Sequence, residues 1–177
     1  MHIASHFQFS PGNETNSALL LGDGTFLSLA QIKSLPNVFG GVDLLTLSAC
    51  NTATGGAGAN GKEVEGFGVL AQRQGAKAVV ASLWPVADRS TKLLMQEFYR
   101  ARESQVDVSK IVALREAQLK LLRGEITTEA TQSTSRQITH DDAPPGAVKR
   151  PLFKADPKAP FAHPYYWAPF ILIGNWK

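Results

Sequence analysis

The residue best suited to chemistry is Cys50, the single cysteine among 177 residues. It closes an apolar run that begins at Val42, and a glycine-rich stretch follows it. An earlier apolar run from Ile3 to Phe7 carries His6 near its carboxyl end. A thiol becomes a strong nucleophile when a nearby imidazole takes up its proton. These residue types predict a catalytic dyad in which Cys50 is the nucleophile and His6 the general base.

Each of these residues also has a purely structural interpretation. A free cysteine in an apolar strand is usually a small buried hydrophobe, and a strand histidine is often a core residue bonded to the backbone. The positions of Cys50 and His6 favour a catalytic role, because open α/β sheets place their functional sites at the carboxyl ends of parallel strands. His2 is a weaker candidate base, since it lies further from that end of its strand. Ser5 or a backbone carbonyl could orient His6.

The composition indicates a folded, soluble domain. Its hydrophobic content is 44% and its net charge is +3, with lysine and arginine scattered along the chain, so nucleic acid is not an expected partner. A single cysteine forms no internal disulfide, which is typical of a reducing compartment. No apolar run is long enough to span a membrane. We therefore expect a cytoplasmic protein without a membrane partner, and we assign no metal or cofactor.

The alternation of strand and helix patterns predicts a three-layer α/β sandwich with a mostly parallel sheet. Glycines on either side of Asp23 mark a hairpin within residues 17–29. Other strands are predicted over 3–7, 43–49, 76–84 and 166–174. Helices are predicted to begin at Ser28, to end at Gly75, and to be capped by Asp88 and by Ser109.

Residues 1–177 form a single domain in this interpretation, with one unusual stretch. Residues 124–160 are rich in serine, threonine, proline and charge, which predicts a long mobile surface loop. A strand pattern follows Met1 directly, with no element before it. We therefore expect the domain to be incomplete at its amino end.

Four segments of the chain form a recognisable series. In chain order they are His2-Ile3-Ala4-Ser5-His6, Ser48-Ala49-Cys50-Asn51-Thr52-Ala53, Ser82-Leu83-Trp84-Pro85-Val86-Ala87-Asp88 and His163-Pro164-Tyr165-Tyr166-Trp167-Ala168-Pro169-Phe170. Together they resemble the CHAT domain, a caspase-like module often found behind tetratricopeptide repeats in bacteria. The resemblance spans nearly the whole chain and matches the C-terminal portion of such a domain. It implies a caspase-like fold and a His6/Cys50 dyad.

The function that this resemblance implies is regulated proteolysis by a cysteine (thiol) protease, a hydrolase that cleaves specific protein substrates. It also implies that tetratricopeptide repeats or another regulatory region act on the intact chain. The family usually has glycine after its histidine, whereas this chain has Phe7, whose bulk could crowd a substrate carbonyl. Oxyanion stabilisation would come from the backbone N–H groups of Phe7 and Cys50.

Two further residues are candidates for substrate binding. Asp88 could pair with a basic side chain at the P1 position of a substrate, and Trp84 could form the wall of a neighbouring subsite. Capping of the following helix is the alternative role for Asp88.

A function from another class remains open, namely a non-catalytic interaction or scaffold module that keeps the caspase-like fold. The replacement of glycine by Phe7, the abrupt start and the apolar terminal segment 161–173 favour it. An exposed edge strand is a template for pairing with another chain. Self-association through the C-terminal strand is the expected contact.

Overall fold

The structure is a computed structural model that describes residues 1–8, 10, 13–48, 62–84, 87–104, 107–126 and 156–177. Within these ranges it has seven strands, four helices and one 3-10 turn. In chain order they are β1 (His2–Ile3), β2 (Phe7–Gln8), β3 (Ala18–Leu20), β4 (Phe26–Ser28), α1 (Leu29–Ser34), β5 (Leu45–Leu47), α2 (Lys62–Arg73), β6 (Ala78–Ser82), α3 (Asp88–Ser104), α4 (Lys110–Arg123), a 3-10 turn (Pro164–Tyr166) and β7 (Phe170–Gly174).

The central sheet has the strand order β1-β5-β6-β7. Strands β1, β5 and β6 run parallel, and β7 runs antiparallel to β6. The carboxyl ends of the three parallel strands therefore meet at one edge of the sheet. Strand β7 begins at this same edge, because Phe170 pairs with Ser82, the last residue of β6. We call this edge of the central sheet the carboxyl edge.

Helices cover both faces of the central sheet. All five residues of β6 are buried, and their side chains alternate between the faces, as expected for a strand. Ala78 and Val80 belong to the apolar cluster with α3 and α4, whereas Val79 and Ala81 pack with α1 and α2. The predicted three-layer α/β sandwich with a mostly parallel sheet is confirmed.

A second, antiparallel sheet has the order β2-β3-β4. The predicted hairpin is confirmed as β3 and β4, with Gly24 at φ +83° in the turn. Ser28 caps α1, as the sequence predicted, and a reciprocal pair of hydrogen bonds with Gln31 completes the cap. Ser109 precedes α4, but its side chain makes no capping hydrogen bond.

The single strand predicted over residues 3–7 is wrong. The chain leaves the central sheet after Ile3 and enters the second sheet at Phe7. Two hydrogen bonds to β3 cause this change, because Ser5 Oγ donates to the Leu20 carbonyl (2.6 Å) and the Leu20 N–H donates to the His6 carbonyl (2.9 Å).

The predicted loop over 124–160 is described only at its two ends. Gly124 ends α4 in the left-handed conformation, with φ +69°, and Asp156 pairs with Ala159 in an isolated bridge. Residues 127–155 lie outside the described residues. In the described ranges, no helix combines the length and the apolar character that crossing a membrane requires.

Gly75 ends α2 as predicted, and its substitution by alanine is expected to destabilise the protein by about 1–3 kcal/mol. Its φ is +102°, and an added Cβ would contact the Asn37 side chain and lie 2.9 Å from the Gly40 Cα. Gly22→Ala is the matched control, because nothing lies within 4 Å of its added Cβ. Urea denaturation measures both variants. Equal stabilities for the two would contradict the strain argument.

Candidate active site

The carboxyl edge brings the ends of β1 and β5 together. Ile3 and Leu47 are register partners in these parallel strands, and the Ser48 N–H continues the pairing by donating to the Ile3 carbonyl (3.0 Å). His6 follows Ile3 by three positions in the sequence, and Cys50 follows Leu47 by three. Cys50 itself lies outside the described residues, so of the predicted dyad only His6 is described here.

His6 presents its side chain to solvent. The residue is exposed, while its backbone carbonyl is held by the Leu20 N–H of β3. The alternative interpretation of His6 as a buried core histidine is therefore wrong. Ser5 does not orient its ring through the hydroxyl, which donates to the Leu20 carbonyl. The hydrogen bond from Leu20 therefore holds the main chain at His6, while the imidazole remains accessible.

Phe7 lies in β2 opposite Leu19. Because Leu20 bonds to His6, the Phe7–Leu19 pair is the type without mutual hydrogen bonds, and the Phe7 N–H is directed away from β3. Its ring is half-buried and packs edge-on against Phe67 of α2, with the ring centroids 5.5 Å apart. The bulk of Phe7 is thus accommodated in the core, and its N–H lies on the other side of the strand from β3.

Trp84 and Asp88 follow β6 along the chain, where β6 reaches the carboxyl edge. Trp84 is half-buried, and its indole N–H donates to the Tyr165 carbonyl (3.1 Å). Asp88 is exposed and is the first residue of α3, where a carboxylate interacts favourably with the helix dipole. The Thr91 N–H donates to Ala87, so the helix is preceded by Ala87 and the predicted cap at Asp88 is shifted by one residue.

An aromatic segment at the start of β7 was not predicted as part of the site. Tyr165 and Tyr166 stack edge-on with centroids 5.4 Å apart, and Phe161 packs on Tyr166 at 5.3 Å. The His163 Nδ1 accepts the Tyr165 N–H (3.1 Å), which holds the turn. The consecutive aromatic residues at positions 165–167 were the sequence signal that could have identified this segment. Together with Trp84, the aromatic segment forms a wall at the carboxyl edge.

A polar network on the α3 side of the sheet was also missed. His2 Nε2 lies 2.6 Å from Ser48 Oγ, and His2 Nδ1 lies 3.3 Å from the Tyr99 hydroxyl. That hydroxyl donates to Thr46 Oγ1 at 2.8 Å. Partial burial of the His2 ring lowers its pKa below 6.5, and the ammonium of Met1 adds to this effect. His2, the weaker candidate base, is therefore bound to the end of β5.

The family model of the CHAT domain matches residues 1–175. The chain therefore belongs to the CHAT domain family, and the mixed α/β sheet with its carboxyl-edge site is a caspase-like, peptidase-related module. No curated protein matches the chain. The resemblance inferred from the four sequence segments is confirmed.

Proposed function

We propose that this chain is a cysteine endopeptidase in which Cys50 attacks a peptide carbonyl and His6 transfers the proton. The observation that carries the proposal is the register of β1 and β5. Ile3 and Leu47 are partners on neighbouring parallel strands, and His6 and Cys50 follow them by the same number of residues. Segments that follow the carboxyl ends of neighbouring parallel strands suit a nucleophile and its base.

The reaction uses only groups of this chain and water. The Cys50 thiol gives its proton to His6, and the thiolate attacks the carbonyl carbon while the C=O electron pair moves to oxygen. The Phe7 N–H, directed away from β3, and the Cys50 N–H would bind that oxyanion. Collapse of the tetrahedral intermediate breaks the C–N bond of the peptide, and the amine product leaves with the proton from His6. Water, deprotonated by His6, then releases the acyl group and restores the thiol.

We propose specific proteins with a basic P1 residue as substrates. The carboxylate of Asp88 is exposed in the first turn of α3, where it could pair with lysine or arginine. Trp84 and Tyr165 supply apolar surface for the neighbouring subsite. A regulatory region such as tetratricopeptide repeats would control access, and the cytoplasm suits a peptidase that depends on a reduced thiol.

A second candidate, an interaction or scaffold module, is favoured by one observation. Among the described strands, β7 pairs only with β6 and lies at the edge of the central sheet. Its apolar residues Ile171, Leu172 and Ile173 are only partly buried. Self-association through β7 would cover them.

Cleavage of a proteome-derived peptide library tests the proposed activity. We expect wild-type protein to generate new amino termini preceded by lysine or arginine, and Cys50→Ala to generate none. Asp88→Asn should keep cleavage but reduce the selection of basic P1 residues about tenfold, because it removes one charge-assisted contact. Mass spectrometry identifies the termini.

Equal cleavage by wild type and Cys50→Ala would disprove the proposal. The interaction module would replace it if the folded wild type cleaves nothing and sedimentation shows a dimer that a charged substitution such as Ile171→Lys dissociates.

A further inference from the structure

With the Tyr99 hydroxyl as donor to Thr46, a neutral His2 ring has one consistent assignment of protons. Tyr99 gives its hydroxyl proton to Thr46 Oγ1, so its oxygen is left to accept the Nδ1–H of His2. His2 Nε2 then carries a lone pair and accepts the Ser48 hydroxyl at 2.6 Å. In this arrangement the neutral imidazole connects two hydroxyl groups, and every hydrogen bond has one donor and one acceptor.

The network joins three elements, β1, β5 and α3, at the carboxyl end of β5. His2 and Thr46 are register partners on β1 and β5, and Ser48 projects on the same face as Thr46 because strand side chains alternate. Tyr99 reaches them from α3, and its ring lies 5.8 Å from the His2 ring. Thr46 is fully buried and Ser48 half-buried. Ser48 precedes Cys50 by two residues.

We infer that His2 is a positioning residue for the carboxyl end of β5: as a neutral imidazole held by Tyr99, it accepts the Ser48 hydroxyl and fixes the strand end that leads to Cys50. Its effect on catalysis rests on the proposed peptidase function, whereas its effect on the strand end does not. His6, on the far side of the change from β1 to β2, remains the proposed base.

The charges around His2 agree with this role. Tyr99 is the titratable side chain that faces it from α3, and the Met1 ammonium is the charged group on its own strand. Arg102 and Asp43 line the cavity that Tyr99 and Met1 share. Burial and the ammonium both disfavour the imidazolium.

Protonation would reverse the key hydrogen bond. An imidazolium has N–H donors on both nitrogens, so it can no longer accept from the Ser48 hydroxyl. The pKa of His2 is lowered in the folded chain, so the folded state binds this proton less readily than the unfolded chain does. The stabilisation that neutral His2 gives the folded state is therefore complete above about pH 6.5, and it is lost as the pH falls through the lowered pKa of His2.

The test uses the full chain with three serine variants. Ser48→Ala removes the hydroxyl, Ser48→Thr keeps one, and Ser34→Ala is the matched control, because it removes an exposed hydroxyl that donates only to Gln31 of α1. Two readouts do not depend on Cys50, namely the tautomer of the neutral His2 ring from its nitrogen NMR shifts and the amide exchange rate at residue 48, whose N–H bonds to Ile3.

Ser48→Ala should shift the neutral His2 ring from the Nδ1–H tautomer towards the Nε2–H tautomer, because Nε2 loses the hydroxyl that donates to it. Amide exchange at residue 48 should accelerate about tenfold, which corresponds to the loss of one ordinary hydrogen bond. Ser48→Thr should restore both values and Ser34→Ala should change neither. Tyr99→Phe should shift the tautomer in the same direction, since it removes the oxygen that accepts the Nδ1–H.

An unchanged His2 tautomer in Ser48→Ala would overturn the inference, and so would a shifted tautomer with unchanged exchange at residue 48. The rate of Cys50 alkylation separates the two proposals. If wild-type Cys50 reacts as an ordinary thiol, the peptidase proposal fails, while the tautomer and the exchange rate still decide the role of His2. If Cys50 is activated, Ser48→Ala should slow its alkylation about tenfold below neutral pH.

Discussion

His6→Ala is expected to slow alkylation of Cys50 by iodoacetamide about a hundredfold at about pH 6. An ordinary thiol with a pKa near 8.5 is less than about one per cent thiolate at that pH. A thiolate paired with an imidazolium is largely ionised, although its lower basicity reduces its intrinsic reactivity. Because the chain has one cysteine, the alkylated mass reports this residue alone.

The unfolded proteins supply the control for this prediction. In urea, wild type and His6→Ala should react at the same rate, because the folded arrangement that the proposed dyad requires is lost. A folded His6→Ala variant that reacts as fast as wild type would remove His6 from the dyad.

Phe98→Ala is expected to destabilise the domain by about 3–5 kcal/mol. Phe98 of α3 has no exposed surface, and it lies in the apolar cluster that α3 and α4 form with the sheet. Removal of its ring leaves a cavity that the surrounding helices and sheet fill only in part. Chemical denaturation measures the loss as a lower midpoint with an unchanged slope.

Phe26→Ala is the matched control for this core substitution. Phe26 is 56% exposed on β4, so the same change of side chain should cost less than about 1 kcal/mol. A similar loss in both variants would mean that the cluster around Phe98 is not the main source of stability.

Local signals made several elements predictable from sequence. Glycines that permit positive φ marked the hairpin turn and the end of α2, and Ser28 marked the start of α1. The continuous apolar run around Val80 is typical of a buried strand, and β6 is buried throughout. These features depend on residues within one turn or one strand of each other.

Features that depend on distant residues were not predictable in this way. The change from β1 to β2 is set by Leu20, which lies on another strand. Tyr99 meets His2 from 97 positions away in the sequence, and no periodicity carries that information. Ser109 is a residue type that often caps helices, and it lies directly before α4, yet its hydroxyl makes no capping hydrogen bond.

For the candidate site, sequence reasoning predicted one edge of the sheet, which stays a prediction, and it did not include every residue that lies at this edge. His6, Trp84 and Asp88 follow the carboxyl ends of β1 and β6, as parallel strands require. The aromatic segment around Tyr165 reaches the same edge only because β7 runs antiparallel to β6. Strand direction is a property of the whole sheet, so this contribution needed the structure.

The ionisation of Cys50 tests the central claim most directly. Thiolate absorbance in the ultraviolet, recorded from about pH 4 to about pH 10 with Cys50→Ser as the blank, gives the pKa of the single thiol without any substrate. The proposed dyad predicts an apparent pKa below about 7 that returns towards 8.5 in His6→Ala. A wild-type pKa at or above about 8.5, unchanged in His6→Ala, would contradict it.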